Sequence, residues 1–219
     1  MKSLLTFIVA LSLATQPLFA SEDEAPALSW DDLVPEIEMM DNPFRELSIE
    51  QTIAFRKYLL ELEVPEMEHT EDQQKRQREL RESLEADGLE PDELVETYKR
   101  LMENYRLVTT STRPDILGKK VRIPGYLLPL TVKDGAVTEF LLVPTVGACI
   151  HTPPPPANQM VYVQFDSGFE SPGLFRPVWI SGELKAEDRT ENLTLVDGSS
   201  DIHVTYAMNA DDVTIYSTP

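Results

Sequence analysis

The chain changes its hydrophobic period at Arg113-Pro114, and that change limits what it can fold into. Before it, apolar residues recur at helical spacing of three and four. After it they alternate, with Gly and Pro punctuation, as short strands do. The 219 residues therefore read as an α+β chain. A helical segment precedes a small antiparallel β-barrel of the oligonucleotide-binding type (OB-like), with a sandwich as second choice. The expected organisation is a signal peptide over 1–20, an acidic helical segment over 21–110 and a β-barrel domain over 111–219.

The first twenty residues, MKSLLTFIVALSLATQPLFA, have the parts of an export signal. Lys2 is the positive end, residues 4–13 form a short apolar run, and Ala20 is small enough to precede a cut. The run is shorter than a comfortable bilayer span, and Glu22, Asp23 and Glu24 follow it. The expectation is a soluble periplasmic protein with no stable membrane span after cleavage. The only cysteine is Cys149, so intramolecular disulfides and multi-cysteine zinc modules are excluded.

Charge divides the chain as the period does. Residues 21–110 carry 10 Lys+Arg against 25 Asp+Glu, and residues 111–219 carry 8 against 13. The whole chain has a net charge of −19, which argues against general nucleic-acid binding and docking on anionic lipid.

Ser29-Trp30-Asp31-Asp32-Leu33-Val34-Pro35 reads as a short turn that Ser29 can cap and Pro35 ends. Trp30, Leu33 and Val34 can pin it to a neighbour. Ser48 with Gln51 predicts a capping box for a helix over 48–63, with Ile49, Ile53, Leu59, Leu60 and Leu62 as its stripe. Thr70 with Gln73 opens a second helix that Gly88 stops; only Leu80 and Leu84 face inward. Its mixed charges read as a solvated face held by i,i+4 pairs, the alternative being a partner-binding or metal-attracting surface. Pro91 opens a third helix, with Leu94, Val95, Tyr98, Leu101, Met102 and Tyr105 on its inner face. Beyond Pro114, five or six short strands are expected, with a bulge or bend at Pro124-Gly125 and hairpin turns at Asp134-Gly135 and Asp197-Gly198.

The stretch 143–158, VPTVGACIHTPPPPAN, carries the chemistry. Cys149 and His151 are two apart, so extended backbone puts both on one face. That spacing suits two ligands of one zinc or copper ion. The same pair suits a reactive thiolate beside an imidazolium. A third ligand would come from His203, Glu139 or His69; alternation puts His203 on the face opposite Val204, Tyr206 and Met208. Pro153, Pro154, Pro155 and Pro156 form a stiff rod, Thr152 adjoins it, and Gly147 permits close backbone approach. The plainer alternatives are a buried cysteine, a hydrogen-bonded histidine and a rigid connector. No nucleophile elbow, phosphate-binding glycine loop or His-Glu-x-x-His helix occurs in the sequence, so no catalytic residue is assigned.

The segments PGYLLPL, FLLVPTVGACIHTPPPPANQMVYV and VWISGELK, with the SWDDLVP arm, resemble an uncharacterised bacterial envelope family, the domain of unknown function 3299 family. The resemblance runs over roughly 117–216, and its most specific part is Cys149-Ile150-His151-Thr152 with the prolines. It implies an exported or lipidated accessory of envelope transport, linked to ABC-type transporter components and zinc supply. The leading expectation is a periplasmic binding or accessory module, without turnover, that uses the loop to hold a metal or dock on a transporter component or another periplasmic protein. The alternatives are a thiol-based enzyme or redox sensor using Cys149, and a structural protein-interaction module.

Overall fold

In the computed structural model, residues 25–64, 70–147, 154–170, 177–195 and 198–216 are described. The expected signal peptide lies outside them, as do His69, Cys149, His151, Thr152, Pro153 and Asp197. No helix among the described residues is long and apolar enough to cross a membrane.

The helical segment contains α1 (Ile49–Leu62), α2 (Glu71–Ala86) and α3 (Pro91–Thr110). Both predicted capping boxes form: Ser48 with Gln51 and Thr70 with Gln73 exchange side-chain and backbone hydrogen bonds. Gly88 takes a φ of 77°. The Leu89 N–H then reaches the Leu84 carbonyl and the Gly88 N–H the Glu85 carbonyl, a Schellman stop. Polar α2 is tied to its neighbours by ion pairs. Arg76 pairs with Glu61 at 2.9 Å, and Arg81 grips Asp92 through two guanidinium nitrogens at 3.0 and 2.5 Å.

The inner face of α1 differs from the expectation. Ile49, Ile53, Leu60 and Leu62 are exposed, whereas Phe55 and Tyr58 are buried. Phe44, on a 3₁₀ turn before the helix (Pro43–Glu46), stacks on Phe55 with ring centroids 5.3 Å apart. Tyr98 of α3 meets both rings edge-on at 6.2 Å. These aromatic contacts select the face of α1 that turns inward. Met102 and Tyr105 of α3 are likewise exposed, and Leu101 is the residue buried there.

The remainder is a closed barrel of five strands: β1 (Lys120–Lys133), β2 (Ala136–Val143), β3 (Val161–Phe169), β4 (Pro177–Leu195) and β5 (Gly198–Ile215). The order around it is β1-β2-β3-β5-β4, with β4 pairing back onto β1. The predicted small barrel is present, but it is mixed rather than wholly antiparallel. β3 and β5 run parallel, Val161 opposite Tyr206. Asp134-Gly135 makes the expected two-residue hairpin, both residues at positive φ, as a type I′ turn requires. No bulge occurs at Pro124-Gly125. The β1–β4 register runs unbroken through them, and at Tyr126 the strand changes partner from β4 to β2.

Alternation sorts the strand residues into two cores. Ile123, Leu127, Phe140, Leu142, Val161, Val163, Tyr206 and Met208 point into the barrel and fill it. Leu128, Leu141, Val143, Met160 and Tyr162 point outward, yet they too are buried. Their cover is the distal part of the β4–β5 hairpin. Leu193, Ile202 and Val204 pack on them, beyond a register shift between Ala186 and Arg189. Gly182 permits the bulge at the base of that hairpin; a Cβ there would lie 2.3 Å from the Asn209 carbonyl oxygen.

The N-terminal arm closes the barrel. Ala27 bridges to Arg122 in parallel, with Leu28 N–H on the Arg122 carbonyl and Arg122 N–H on the Pro26 carbonyl. Leu33, on the 3₁₀ turn Asp31–Leu33, has no exposed surface and joins the barrel core. Burial of that kind contributes about 1.5–3 kcal/mol. The Tyr206 hydroxyl donates to the Leu33 carbonyl at 2.8 Å and accepts the Arg113 N–H at 2.7 Å. Burial pushes the Tyr206 hydroxyl above its usual pKa, partly opposed by the Arg113 N–H. The predicted Ser29 cap is reversed: the Asp32 carboxylate accepts from both the Ser29 N–H and hydroxyl at 2.7 Å.

Candidate functional site

The loop between β2 and β3 is held at both feet. On the entry side, β2 ends at Val143, opposite Tyr126 of β1. Gly147 then has a φ of 77°, backbone that an L side chain seldom adopts. Cys149, His151, Thr152 and Pro153 follow, outside the described residues. On the exit side, Pro154 and Pro156 are exposed and Pro155 half-buried. Pro156 has φ −51° and ψ 150°, close to polyproline II. The 3₁₀ turn Ala157–Gln159 ends the rod.

That turn is the strongest attachment. Asn158 is 1% exposed. Its side-chain N–H₂ donates to the carbonyls of Val108 at 2.7 Å and Ser111 at 3.0 Å. These carbonyls stand at the C-terminal end of α3, where helical partners run out. Gln159 donates from its side chain to the Trp30 carbonyl at 2.8 Å, and the Trp30 indole N–H reaches the Pro124 carbonyl at 2.8 Å. Val143 at the end of β2 and Met160 just before β3 belong to one buried cluster. Barrel, arm and α3 thus meet at the loop exit.

The other candidate ligands sit elsewhere on the barrel. His203 lies opposite Thr190 on the β4–β5 hairpin, between buried Ile202 and Val204. Its side chain is 42% exposed and its Nδ1 lies 3.6 Å from an Asp188 carboxylate oxygen. Glu139 accepts from the Thr131 hydroxyl at 2.6 Å. Beside it Arg189 covers the Tyr162 ring, guanidinium carbon 3.7 Å from the centroid, and pairs with Glu191 at 2.6 Å. Burial raises the Tyr162 hydroxyl pKa, with Arg189 opposing. Among the described residues, no group of three or more His, Cys, Asp and Glu side chains is placed to hold a metal ion.

Asn158 and Gln159 belong to no recognised motif, although both organise the loop exit. The available signal for Asn158 was its place directly after a proline run. A polar side chain there can collect the orphan carbonyls of a helix end.

These features define a class of protein: a filled five-stranded barrel, plugged by its own N-terminal arm, carrying an acidic helical segment and a proline-stiffened loop tied to both. The chain belongs to the family described as Protein of unknown function (DUF3299), whose model matches residues 30–215. Among solved structures it is similar to the crystal structure of a DUF3299 family protein from Pseudomonas aeruginosa PAO1. The two are 26% identical over 89% of this chain and 99% of that chain, with a TM-score of 0.49. Comparison with curated proteins gives no match.

Proposed function

We propose that the protein is an exported binding module of the bacterial envelope, working without turnover, whose binding element is the loop at 147–156. In this reading Cys149 and His151 supply a thiolate and an imidazole to one zinc or copper ion, and the module serves an envelope transporter or another periplasmic protein. The observation that carries it is the anchoring of the loop's exit. Gly147 has a φ of 77° on the entry side, and Asn158 and Gln159 fasten the proline rod to α3 and the arm. A fixed loop exit lowers the entropic cost of holding a ligand beside it.

Two further features support a role on the surface. The barrel interior is filled by its own side chains, so it is a scaffold rather than a ligand cavity. The outer face of β2 and β3, which oligonucleotide-binding barrels use, is covered here by the β4–β5 hairpin. That cover and the net charge of −19 favour a partner other than nucleic acid.

The test is elemental analysis of untagged protein isolated from periplasm without chelator, beside Cys149→Ser and His151→Ala. The expected result is near-stoichiometric zinc or copper that falls in both variants. Equal metal content in all three proteins overturns the metal assignment.

A further inference from the structure

We propose that the groove between residues 38–42 and α3 is a site for a soft monovalent metal ion, Cu(I), with the thioether sulfurs of Met39, Met40 and Met102 as ligands. The groove has a volume of about 450 Å³ and all three methionines line it. Met39 is 50% exposed and Met102 41%. Their side chains are therefore accessible to an arriving ion instead of being spent in a core.

The backbone beneath them is fixed by one side chain. Asn104 of α3 accepts the Met40 N–H at 2.7 Å and donates to the Glu38 carbonyl at 2.9 Å. This clamp holds Met39 and Met40 against the helix that carries Met102. Three rotatable bonds in each methionine then let the sulfurs converge while the backbone stays put.

Donor chemistry selects the ion. Thioethers are soft and uncharged, and soft sulfur ligands favour Cu(I). Zinc is held by thiolate, imidazole and carboxylate. Asp41 lines the same groove as a compensating charge, and Arg45, also lining it, limits the total positive charge it accepts. The ion arrives and leaves as Cu(I), with no redox step. The groove belongs to the helical segment, so this site is independent of the proposal for Cys149 and His151.

The experiment is an anaerobic Cu(I) titration of the full chain against the chromophoric chelator bathocuproine disulfonate. It is done in a Cys149→Ser background, which removes the competing thiol. One Cu(I) per chain is expected in that background. Adding Met39→Leu, Met40→Leu and Met102→Leu together is expected to weaken it at least ten-fold. Met102→Leu alone should give an intermediate loss. Leu conserves the volume of Met, and far-UV circular dichroism checks that the helices persist. Unchanged affinity in the triple variant overturns the site. So does absence of Cu(I) from the Cys149→Ser protein; if the cysteine-containing chain still loads, copper sits at Cys149 and only the groove proposal fails.

Discussion

Phe140, Ile180 and Tyr206 have no exposed surface in the barrel, whereas in the helical segment Ile49, exposed to 76%, and Leu60, to 56%, face solvent. The barrel joins residues far apart in sequence: β1 closes on β4, and β3 on β5. The helical segment is specified locally, by two capping boxes, a Schellman stop and charge pairs between exposed side chains. Exposed pairs contribute little each, so the helical packing rests on one small cluster in which Phe55, Tyr58 and Leu84 are buried with Phe44 and Tyr98 against them. The difference teaches that stability and local specification are concentrated in different halves of this chain. The barrel is rigid support; the helical segment is the part whose surface is left available.

Paired core deletions test that division most strongly. Phe140→Ala should destabilise the barrel by about 3–5 kcal/mol, seen as a large drop in urea midpoint by tryptophan fluorescence. Leu84→Ala removes the one fully buried leucine of α2 and should cost about 2–5 kcal/mol, with helical circular dichroism lost before the fluorescence changes. If both variants shift one common transition at both signals, the two regions are a single cooperative unit and the division fails.

A smaller effect is expected where the regions meet. Asn158→Ala strands the carbonyls of Val108 and Ser111 and should cost about 1–3 kcal/mol. Amide exchange at the end of α3 and in the 157–160 turn should rise together. A rise confined to the loop would show that α3 does not depend on the barrel.

The smallest effect belongs to the arm. Hydrogen bonds from the Ser29 hydroxyl and N–H hold the Asp32 carboxyl below its usual pKa. The folded state therefore favours the carboxylate. Its contribution is complete above the unfolded carboxylate pKa, about 3.9, and is lost as pH falls through the depressed folded value. Ser29→Ala should lower the urea midpoint slightly at neutral pH, and the gap from wild type should close in strong acid. A gap independent of pH would assign the effect to something other than this carboxylate.

Much of this architecture was legible in the residues. The helix ends follow from Ser48, Thr70, Gly88 and Pro91, because capping is a local interaction. Asp134-Gly135 located its hairpin for the same reason. The face of α1 was not legible: its apolar residues populate two sides, and Phe44, from outside the helix, decides between them. The charged run 185–192 is strand, because β4 and β5 continue as a two-stranded ribbon across the barrel. The parallel β3–β5 pair is a long-range pairing that alternation cannot announce. At the candidate site, the motif was visible from spacing alone. Its anchoring by Asn158 depends on a helix end that lies 47 to 50 residues earlier.

The Tyr206 hydroxyl joins a carbonyl from the arm to an amide at the entrance to the barrel. For a chain that emerges from its N-terminus, this sets an order of events. Leu33 leaves first, but its hydrogen-bonding partner lies 173 residues later. Throughout that interval Trp30 and Leu33 have no complete barrel to enter, while α1, α2 and α3 can already form from local signals. The early apolar arm is thus exposed until the last strand arrives, and a holding chaperone would find its target there.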